Sequence, residues 1–375
     1  MTLADCVADA LAQSGGDRVE PNVLIEARVP LELSGEAVRS RICTFVDDNG
    51  VEWALRPDLT LPVALAEIAE RRSGDRPEAI RHYRGPVFRL PALPSEPVEY
   101  EQIGLERFGA PRAVAQDLWL FRTLTETCQA CGVTTGYTRF GDLAMFPAFV
   151  DALGFPEDVS AGLKRAFRQE GGVRAYLDGQ DQNRQGFAAR VAGLPREDIA
   201  VFLEDIFAMT GVRPVGERTT DEIVERLYAR SRTGAQFTVS PEQIDLLEQV
   251  RLLEVPFADA PKAFAEIVAQ GGLSGLQDKL DQFAARTEQL HASAPPTMLE
   301  AAQFATRFGR RFTYYDGFVF EITSDASEAA MKRPFVVGGR YDSLLADLSG
   351  GAVSTTALGG VIMPHRLAAM PGAMT

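Results

Sequence analysis

The stretch FRLPALPSEPVEYEQIGLERFG, residues 88–109, decides how the rest of the chain is interpreted. Its two ends favour strands and its proline-rich middle favours a tight loop, a pattern typical of a β-hairpin. After Arg89, no lysine or arginine occurs until Arg107. The charged residues between them are all carboxylates: Glu96, Glu99, Glu101 and Glu106. The hairpin sequence therefore lacks the positive charge that a phosphate-binding loop would carry.

The composition is that of a globular protein, with 46% hydrophobic and 24% charged residues. A length of 375 residues favours two compact units. The formal net charge of -14 disfavours a broad binding surface for nucleic acid or for an anionic membrane. No signal peptide or membrane-spanning run is evident, and four cysteines in so long a chain do not indicate a disulfide framework. We therefore expect a cytoplasmic protein.

Three regions of different character follow one another along the chain. Residues 1–142 contain short strand patterns, and ICTFVDDNGVEWALRPD reads as a hairpin with an Asn-Gly turn. Residues 143–296 are dominated by amphipathic helical patterns, and strand patterns return in 297–375. We therefore predict an α+β body whose two parts are separated by a mainly helical insertion over 143–296.

Several familiar motifs are absent or incomplete. Cys128-x-x-Cys131 suggests a metal or redox site, but zinc needs about four ligands and the three histidines complete no set. A redox pair gains its acidity from a helix N-terminus, whereas this pair falls at the end of a predicted helix. We interpret both cysteines as buried apolar thiols. There is no GxxxxGK[ST] loop and no strand followed by GxGxxG, so we expect neither metal nor cofactor.

Four strand patterns carry polar residues where strands are otherwise apolar. They are LRPDLT at 55–60, EYEQIGLE at 99–106, RRFTYYDG at 310–317 and VGGRYD at 337–342. Alternate residues of a strand share a face, so Gln102, Gly104 and Glu106 should point one way. A face that suits a small zwitterion with a polar ring would combine Asp58, Gln102, Glu106, Arg310, Tyr315 and Tyr341. Periodicity equally allows polar residues at a sheet edge that satisfy one another.

The order of these motifs resembles the catalytic core of histidyl-tRNA synthetases. The matching segments are LRPDLTLPVA, FR…YEQIGLERFG, RRFTYYDGFVFE, VGGRYDSLL and ALGGVIMPHRL, within about residues 20–142 and 297–370. The resemblance implies a class II aminoacyl-tRNA synthetase fold, in which helices flank an antiparallel sheet. It also implies a dimer formed through the first class II motif, here around EPNVLIEARVPLEL.

The same resemblance implies a histidine-binding site. It assigns Asp58, Thr60 and Gln102 to the histidine ammonium group, Glu106, Tyr315 and Tyr341 to the imidazole region, and Arg310 to the carboxylate. Arg89 and Arg366 fall at the arginines of the second and third class II motifs. The chain departs from the family where Asp58 replaces the glutamate of LRPEGT and RRFTYY replaces RGLDYY.

Further departures favour a chain without synthetase activity. In active synthetases the loop after the motif arginine carries more Arg and Glu, which hold ATP and the end of tRNA; here it reads LPALPSEPVEYE. Adenylate formation depends on cations aimed at the developing charge. Met363 replaces a glycine of the third motif, and nine residues follow Arg366. We therefore expect no anticodon-binding domain and no tRNA substrate.

A synthetase core with these losses resembles the regulatory subunits of ATP phosphoribosyltransferase. That resemblance implies a non-catalytic chain that joins a short catalytic subunit in a hetero-octamer, supports its activity and takes part in feedback inhibition by histidine. The reaction would be the first step of histidine biosynthesis. Two alternatives stay open: a stand-alone ATP-dependent histidine ligase using Arg89 and Arg366, and a scaffold with a vestigial pocket. That the inherited pocket is the regulatory histidine site is a hypothesis.

Overall fold

The computed structural model describes residues 1–74, 77–92, 96–169, 171–185, 194–210, 224–225, 228, 239–293, 295–309, 313–327 and 333–374. Their contacts divide the chain into two compact units, one formed by Met1–Ala152 and Gln249–Thr375 and the other by Leu153–Glu248. The smaller unit is narrower than the insertion predicted over 143–296. Helical patterns alone do not tell which unit a helix packs with, and the helices after residue 260 belong to the larger unit by their contacts.

Twelve strands are described. In chain order they are β1 (Asp17–Arg18), β2 (Leu24–Glu26), β3 (Thr44–Val46), β4 (Glu52–Leu55), β5 (Ala79–Phe88), β6 (Glu99–Phe108), β7 (Tyr137–Asp142), β8 (Glu254–Pro256), β9 (Gln303–Ala305), β10 (Phe318–Thr323), β11 (Val336–Arg340) and β12 (Ala357–Ile362). Nine form one sheet in the order β1-β5-β6-β12-β11-β10-β7-β9-β8. Neighbours are antiparallel except β1–β5 and β7–β9, so the predicted, mostly antiparallel sheet is confirmed.

Fifteen helices are described alongside these strands. They are α1 (Leu3–Ala12), α2 (Arg28–Leu33), α3 (Glu36–Arg39), α4 (Thr60–Ser73), α5 (Val114–Ala130), α6 (Met145–Ala152), α7 (Glu157–Phe167), α8 (Gly172–Gln185), α9 (Arg196–Thr210), α10 (Pro241–Leu252), α11 (Ala260–Gly271), α12 (Gln277–Ser293), α13 (Pro296–Leu299), α14 (Leu344–Ser349) and α15 (Pro364–Leu367). Short 3₁₀ turns cover Phe257–Asp259 and Ser274–Leu276.

The hairpin of β5 and β6 forms the centre of the candidate site. Its strands pair without a bulge from Ala79 opposite Phe108 to Phe88 opposite Glu99. The side chains of β5 alternate between buried and partly buried, as a strand covered on one face requires. Tyr83 pairs with Gly104, so Tyr83 shares a sheet face with the residues that flank Gly104 at alternate positions of β6.

An aromatic core lies between the sheet and helix α5. The ring of Phe121 on α5 meets Phe140 of β7 at 5.4 Å and Phe320 of β10 at 4.9 Å between centroids. Phe140 also stacks on Phe257 at 4.0 Å. Large buried rings contribute most of the apolar area that drives such packing. This core fixes β7 and β10, and the segment that carries Tyr315 leads directly into β10.

Buried ion pairs connect helix α12 to helix α5 and to strand β7. Arg286 donates to Asp117 of α5 at 3.2 Å and bridges Asp142 of β7 at 2.5 Å. Arg340, at the end of β11, donates to the other oxygen of Asp117 at 2.8 Å. Breaking a buried pair by removing one partner is strongly destabilising, because it leaves an uncompensated charge. The network therefore holds the end of β11 next to the site.

One cysteine departs from the sequence interpretation. Cys131 forms a disulfide with Cys6, and the two Cα atoms are 6.0 Å apart. Cys128 is a buried unbonded thiol, as predicted. The prediction was wrong for Cys131 because the bond joins residues 125 positions apart, and only the packing of α1 on α5 brings them together. Within the described part of the chain, no helix is long and apolar enough to cross a bilayer.

The small sheet of β2, β4 and β3 has an apolar surface. All three residues of β3 are exposed, and Val46 is 63% exposed. Four further hydrophobic side chains of this region are exposed: Val23, Leu24, Phe45 and Val51. We call these five residues the small-sheet patch. Phe45 and Val46 are consecutive strand residues and point to opposite faces, so the small-sheet patch is a group of exposed apolar side chains on one small sheet, which makes that sheet a candidate interaction surface.

Candidate functional site

The structure brings six of the seven residues predicted for the histidine site into one buried region. They are Asp58, Thr60, Gln102, Glu106, Tyr315 and Tyr341, and each is buried. The seventh, Arg310, lies outside the described residues. Four chain segments supply the six side chains: the β4–α4 connection with the first residue of α4, strand β6, the segment before β10 and the segment after β11. Tyr315 precedes β10, so the strand predicted to include it begins three residues later, at Phe318.

Glu106 is the centre of this region. Its side chain is fully buried and accepts hydrogen bonds from three hydroxyl groups. Thr60 Oγ1 and the Tyr83 hydroxyl both donate to Glu106 Oε1 at 2.7 Å, and the Tyr341 hydroxyl donates to Oε2. Hydroxyl donors can rotate and can also accept, so they suit a carboxyl group whose charge changes when a ligand binds.

A row of glycines makes room for this carboxyl. Glu106 of β6 lies directly opposite Gly359 of β12, which lies opposite Gly339 of β11. A Cβ atom on Gly359 would stand 1.5 Å from Glu106 Oε2. A Cβ on Gly339 would stand 2.9 Å from Cε1 of Tyr315, and one on Gly104 2.8 Å from the Tyr83 hydroxyl oxygen. Glycine is therefore required at these positions by side chains packed over the sheet and also by backbone oxygens of neighbouring strands.

The charge state of Glu106 depends on burial. Loss of water raises the pKa of its carboxyl from 4.5 to about 7. The three hydroxyl donors lower the pKa, and the nearby Asp58 raises it further. Near neutral pH, Glu106 is therefore poised between a neutral acid and a carboxylate. A cationic or N–H-donating ligand would favour the carboxylate.

Asp58 has one carboxyl oxygen that is not satisfied. Oδ1 accepts from the backbone N–H of Leu61 in the first turn of α4 at 3.0 Å. Oδ2 is buried and has no hydrogen-bond partner among the described residues. Burial raises the pKa of Asp58, while the N–H of Leu61 and the charge of Arg89 act against that rise. An unsatisfied buried acceptor costs free energy unless a ligand supplies a donor.

Tyrosine rings enclose the pocket. Tyr315 lies 6.2 Å from Tyr341, and Tyr314 lies 4.8 Å from Tyr315, measured between ring centroids. Burial raises the pKa of all three phenols, so they remain neutral donors over the physiological range. Gln102 is oriented by the backbone, because its Oε1 accepts from the N–H of Leu59 at 3.2 Å.

Sequence reasoning missed two residues of this pocket, Tyr83 and Tyr314. The signal for Tyr83 was available, because the alternation of β5 places Arg81, Tyr83, Gly85 and Val87 on the covered face. Its partner in the hairpin, Gly104, then brings the phenol to Glu106. Tyr314 was quoted in RRFTYYDG, but spacing does not decide which of two adjacent tyrosines faces inward in a segment that is not a strand.

The two arginines expected from class II motifs also come together. The guanidinium carbon of Arg89 lies 5.8 Å, and that of Arg366 5.9 Å, from the centroid of the Tyr100 ring. Arg89 Nε donates to the carbonyl of Pro57 at 2.6 Å, next to Asp58. Two arginines from other segments, Arg41 and Arg333, lie beside Glu96 in the hairpin loop. The fold therefore supplies positive charge to a loop whose own sequence has little.

No group of three or more His, Cys, Asp or Glu side chains within the described ranges is placed to hold a metal ion. What the pocket offers instead is two buried carboxyl groups, an oriented amide and several neutral phenols. This set is complementary to a small molecule that carries a cation and a polar N–H ring.

Comparison with known proteins defines the class of fold. The family profile described as histidyl-tRNA synthetase matches residues 2–185 and 188–367. An ATP phosphoribosyltransferase regulatory subunit/histidyl-tRNA synthetase from Bacillus halodurans aligns with a TM-score of 0.59 at 19% identity, over 97% of this chain and 77% of that one. A histidine–tRNA ligase subunit from Alicyclobacillus acidocaldarius gives 0.54 at 22% identity, over 97% and 90%. The predicted class II synthetase-like fold is confirmed.

Relatives with similar sequences identify the group within this family to which the chain belongs. An ATP phosphoribosyltransferase regulatory subunit from Agrobacterium fabrum is 31% identical over 363 residues, 95% of this chain and 93% of the relative. One from Chelativorans sp. is 30% identical over 327 residues, 84% and 83% of the two chains. The chain belongs to the histidyl-tRNA synthetase family and, within it, to the ATP phosphoribosyltransferase regulatory subunits.

Proposed function

We propose that this chain binds histidine in the Glu106 pocket and transmits that binding to a catalytic ATP phosphoribosyltransferase subunit, whose activity it supports. The observation that supports this most directly is the buried, unpartnered Oδ2 of Asp58 beside Glu106, a carboxyl with a pKa of about 7. Two carboxyl groups deprived of water favour a ligand that brings positive charge.

Histidine fits this set of groups by its chemistry. Its ammonium group would lie between Asp58, Thr60 and Gln102, and its imidazole N–H would donate to Glu106. Tyr315 and Tyr341 would pack against the ring. For histidine to regulate the enzyme, its affinity must differ between the active and inhibited assemblies, because a ligand shifts an equilibrium only by its differential affinity.

The test is histidine inhibition of the assembled enzyme. We expect the wild-type chain to activate a short catalytic subunit, and histidine to inhibit the complex. Glu106→Ala and Tyr315→Ala complexes should keep their activity and lose inhibition at histidine concentrations that inhibit the wild type. Glu99→Gln is the control, because Glu99 is an exposed carboxylate of the same strand. Normal inhibition of both pocket variants would exclude this pocket as the regulatory site.

Direct binding separates the proposal from a scaffold with a vestigial pocket. Isothermal titration calorimetry of the purified chain should show histidine binding that Glu106→Ala abolishes. A folded chain that activates the catalytic subunit but binds no histidine would support the scaffold interpretation. Partner activation and effector binding are therefore tested independently.

We also propose that two copies of the chain associate through the small-sheet patch. Its exposed apolar side chains come from β2, β3 and their connections, and the segment expected to form the dimer, EPNVLIEARVPLEL, contributes Val23 and Leu24. Light scattering should give the mass of a dimer for the wild type and of a monomer for Val46→Glu. Val201→Glu is the control, since Val201 is similarly exposed in the other compact unit. Light scattering after addition of the catalytic subunit should give the mass of a hetero-octamer.

The alternative of a histidine ligase is favoured by one observation, the convergence of Arg89 and Arg366 on the Tyr100 ring. Histidine-dependent exchange between ATP and pyrophosphate would reveal that activity, with a histidyl-tRNA synthetase as positive control. We expect no exchange above background from the folded chain. Exchange at the rate of the control would replace the regulatory proposal with a catalytic one.

A further inference from the structure

A second carboxylate of the same hairpin, Glu96, lies among arginines. Its Oε2 accepts from Arg41 Nη2 at 2.9 Å and from the backbone N–H of Ala92 at 3.1 Å. Its Oε1 lies 3.7 Å from Arg333 Nε and 3.9 Å from Arg366 Nη2. We call Arg41, Arg333 and Arg366 the Glu96 arginines. They come from three distant chain segments that meet at one carboxylate.

Two of these guanidinium groups, those of Arg41 and Arg366, have contacts other than Glu96. Arg41 Nε donates to the carbonyl of Leu90, and Arg366 Nη1 donates to the carbonyl of Pro334 at 3.0 Å. The Tyr100 ring supports Arg366 at 5.9 Å through a cation–π contact. Guanidinium groups held in this way remain in place when their anion is changed, which is the condition for a preorganised anion site.

The three arginines surround a single carboxylate, so their positive charge exceeds the negative charge of Glu96. Burial lowers the pKa of Arg366, and so do the neighbouring charges of Arg89 and Arg333. The pKa of Glu96 is lowered, because the N–H of Ala92 and the charges of Arg41, Arg366 and Arg333 outweigh burial. The two longer distances, 3.7 and 3.9 Å, show that one carboxylate does not reach all three arginines within hydrogen-bonding range.

Guanidinium groups from several directions are the donors that proteins use for phosphate, because each can bind two oxygens at once. A chain of linked phosphates carries enough oxygens and charge to contact all three. We propose that Glu96 is an internal anion that occupies this arginine cluster and thereby excludes a polyphosphate ligand from it. The cluster is a polyphosphate site closed by a residue of the chain itself. This inference requires neither histidine binding nor the catalytic partner.

The experiment is calorimetry of the full chain with inorganic tripolyphosphate at low salt, comparing wild type with Glu96→Gln. The glutamine keeps the shape and removes the charge. We expect Glu96→Gln to bind tripolyphosphate at least tenfold more tightly, and the gain to shrink as salt screens the arginines. Glu99→Gln makes the same change of charge three residues away and should bind like the wild type. Adding Arg333→Ala to Glu96→Gln should remove most of the gain.

Two results of this experiment would overturn the proposal. Equal affinity of wild type and Glu96→Gln would overturn the proposal, as would an equal gain from Glu99→Gln, which would reflect net charge alone. If Glu96→Gln does not fold, Glu96→Asp serves instead: it keeps the charge but withdraws it from the arginines, and the affinity should again rise. Titration with ATP extends the same experiment. Binding of ATP equal to tripolyphosphate would assign recognition to the phosphates, and tighter binding of ATP would add a nucleoside contact beside Tyr100.

Discussion

Glu106 and Glu96 belong to the same hairpin, ten residues apart, and have opposite environments. Glu106 is fully buried among three hydroxyl groups, and burial raises the pKa of its carboxyl to about 7. Glu96 is only slightly exposed, at 12% of its side chain, and the backbone N–H of Ala92 together with the charges of three arginines lowers its pKa. Burial alone therefore does not decide the charge of a carboxyl. The partners that replace water decide it.

The difference separates a site prepared for a ligand from a site that is already filled. The Glu106 pocket contains two carboxyl groups, and no guanidinium or ammonium group donates to either carboxyl in the described structure. The Glu96 cluster contains cations together with their anion. A cationic ligand can therefore stabilise the first site without displacing a cationic side chain, whereas an anionic ligand must compete with Glu96 in the second.

The largest expected effect concerns the pH dependence of folding. The pKa of Glu106 is raised by folding from 4.5 to about 7, so the folded protein holds a proton that the unfolded chain has lost. That contribution to stability is fully present below pH 4.5 and is lost as pH rises to 7. Wild type should lose about 2.5 kcal/mol between pH 5 and pH 8 relative to Glu106→Gln.

Urea unfolding of both proteins at several pH values measures that difference. For Glu96 we expect the opposite change of stability with pH, because the stability contributed by a carboxyl of lowered pKa is lost as pH falls. Glu96→Gln should therefore approach the wild type in stability at acid pH. Parallel stability curves for wild type and Glu106→Gln would contradict the account of Glu106.

The next effect tests the glycine row that makes room for Glu106. A Cβ on Gly359 would lie 1.5 Å from Glu106 Oε2, so Gly359→Ala should lower the free energy of unfolding by about 2 kcal/mol. Gly275→Ala is the control, since a Cβ there meets nothing within 4 Å. Combining Gly359→Ala with Glu106→Ala should cost less than the sum of the two single changes. Additive costs would show that the glycine is required for another reason.

A smaller effect is expected at Asp58. Asp58→Asn keeps an acceptor for the N–H of Leu61 but removes the charge that would face the ligand ammonium group. Histidine affinity should fall about tenfold, equivalent to about 1.4 kcal/mol. Asp48→Asn, at an exposed position of the β3–β4 turn, should leave the affinity unchanged. Calorimetric titration of the three proteins measures this, and undiminished binding by Asp58→Asn would remove Asp58 from the site.

The smallest effect is expected in the arginine cluster. Arg41→Ala breaks the shortest ion pair of Glu96, but a quarter of the Arg41 side chain is exposed. Water and salt screen such a pair, so the loss of stability at pH 7 should be about 1 kcal/mol or less. Arg28→Ala, in a pair exposed on both sides, should change stability even less. A cost of several kcal/mol for Arg41→Ala would mean that the cluster is a folding element rather than a closed ligand site.

The contrast between the two glutamates also shows how far the sequence could be interpreted. Gln102, Gly104 and Glu106 were predicted to share a face, because strand periodicity is a local property and the whole strand is regular. Asp58 was included in the same polar face, whereas Thr60 was assigned only by resemblance, and the Thr60 hydroxyl donates to Glu106 in the structure. Local patterns and family motifs together thus identified most of the pocket.

The remaining features depend on contacts between distant segments. Arg41 and Arg333 are 292 positions apart in the sequence and both reach Glu96, and no periodicity relates them. The disulfide of Cys6 and Cys131 likewise required the packing of α1 on α5. The loop after Arg89 was correctly described as poor in cations, but a loop acquires its electrostatic environment from the whole fold.

The glycine row also has an evolutionary consequence, because the space for the pocket side chains depends on these glycines. Gly104, Gly339 and Gly359 lie on three neighbouring strands, and each is kept small by a side chain of the pocket or by an adjacent strand. In a lineage that has abandoned the ligand, selection on Glu106 and Tyr315 would relax first, and larger residues could then enter at the glycines. Such a descendant could not regain the pocket by restoring the acid alone. No single substitution could then restore binding of the effector.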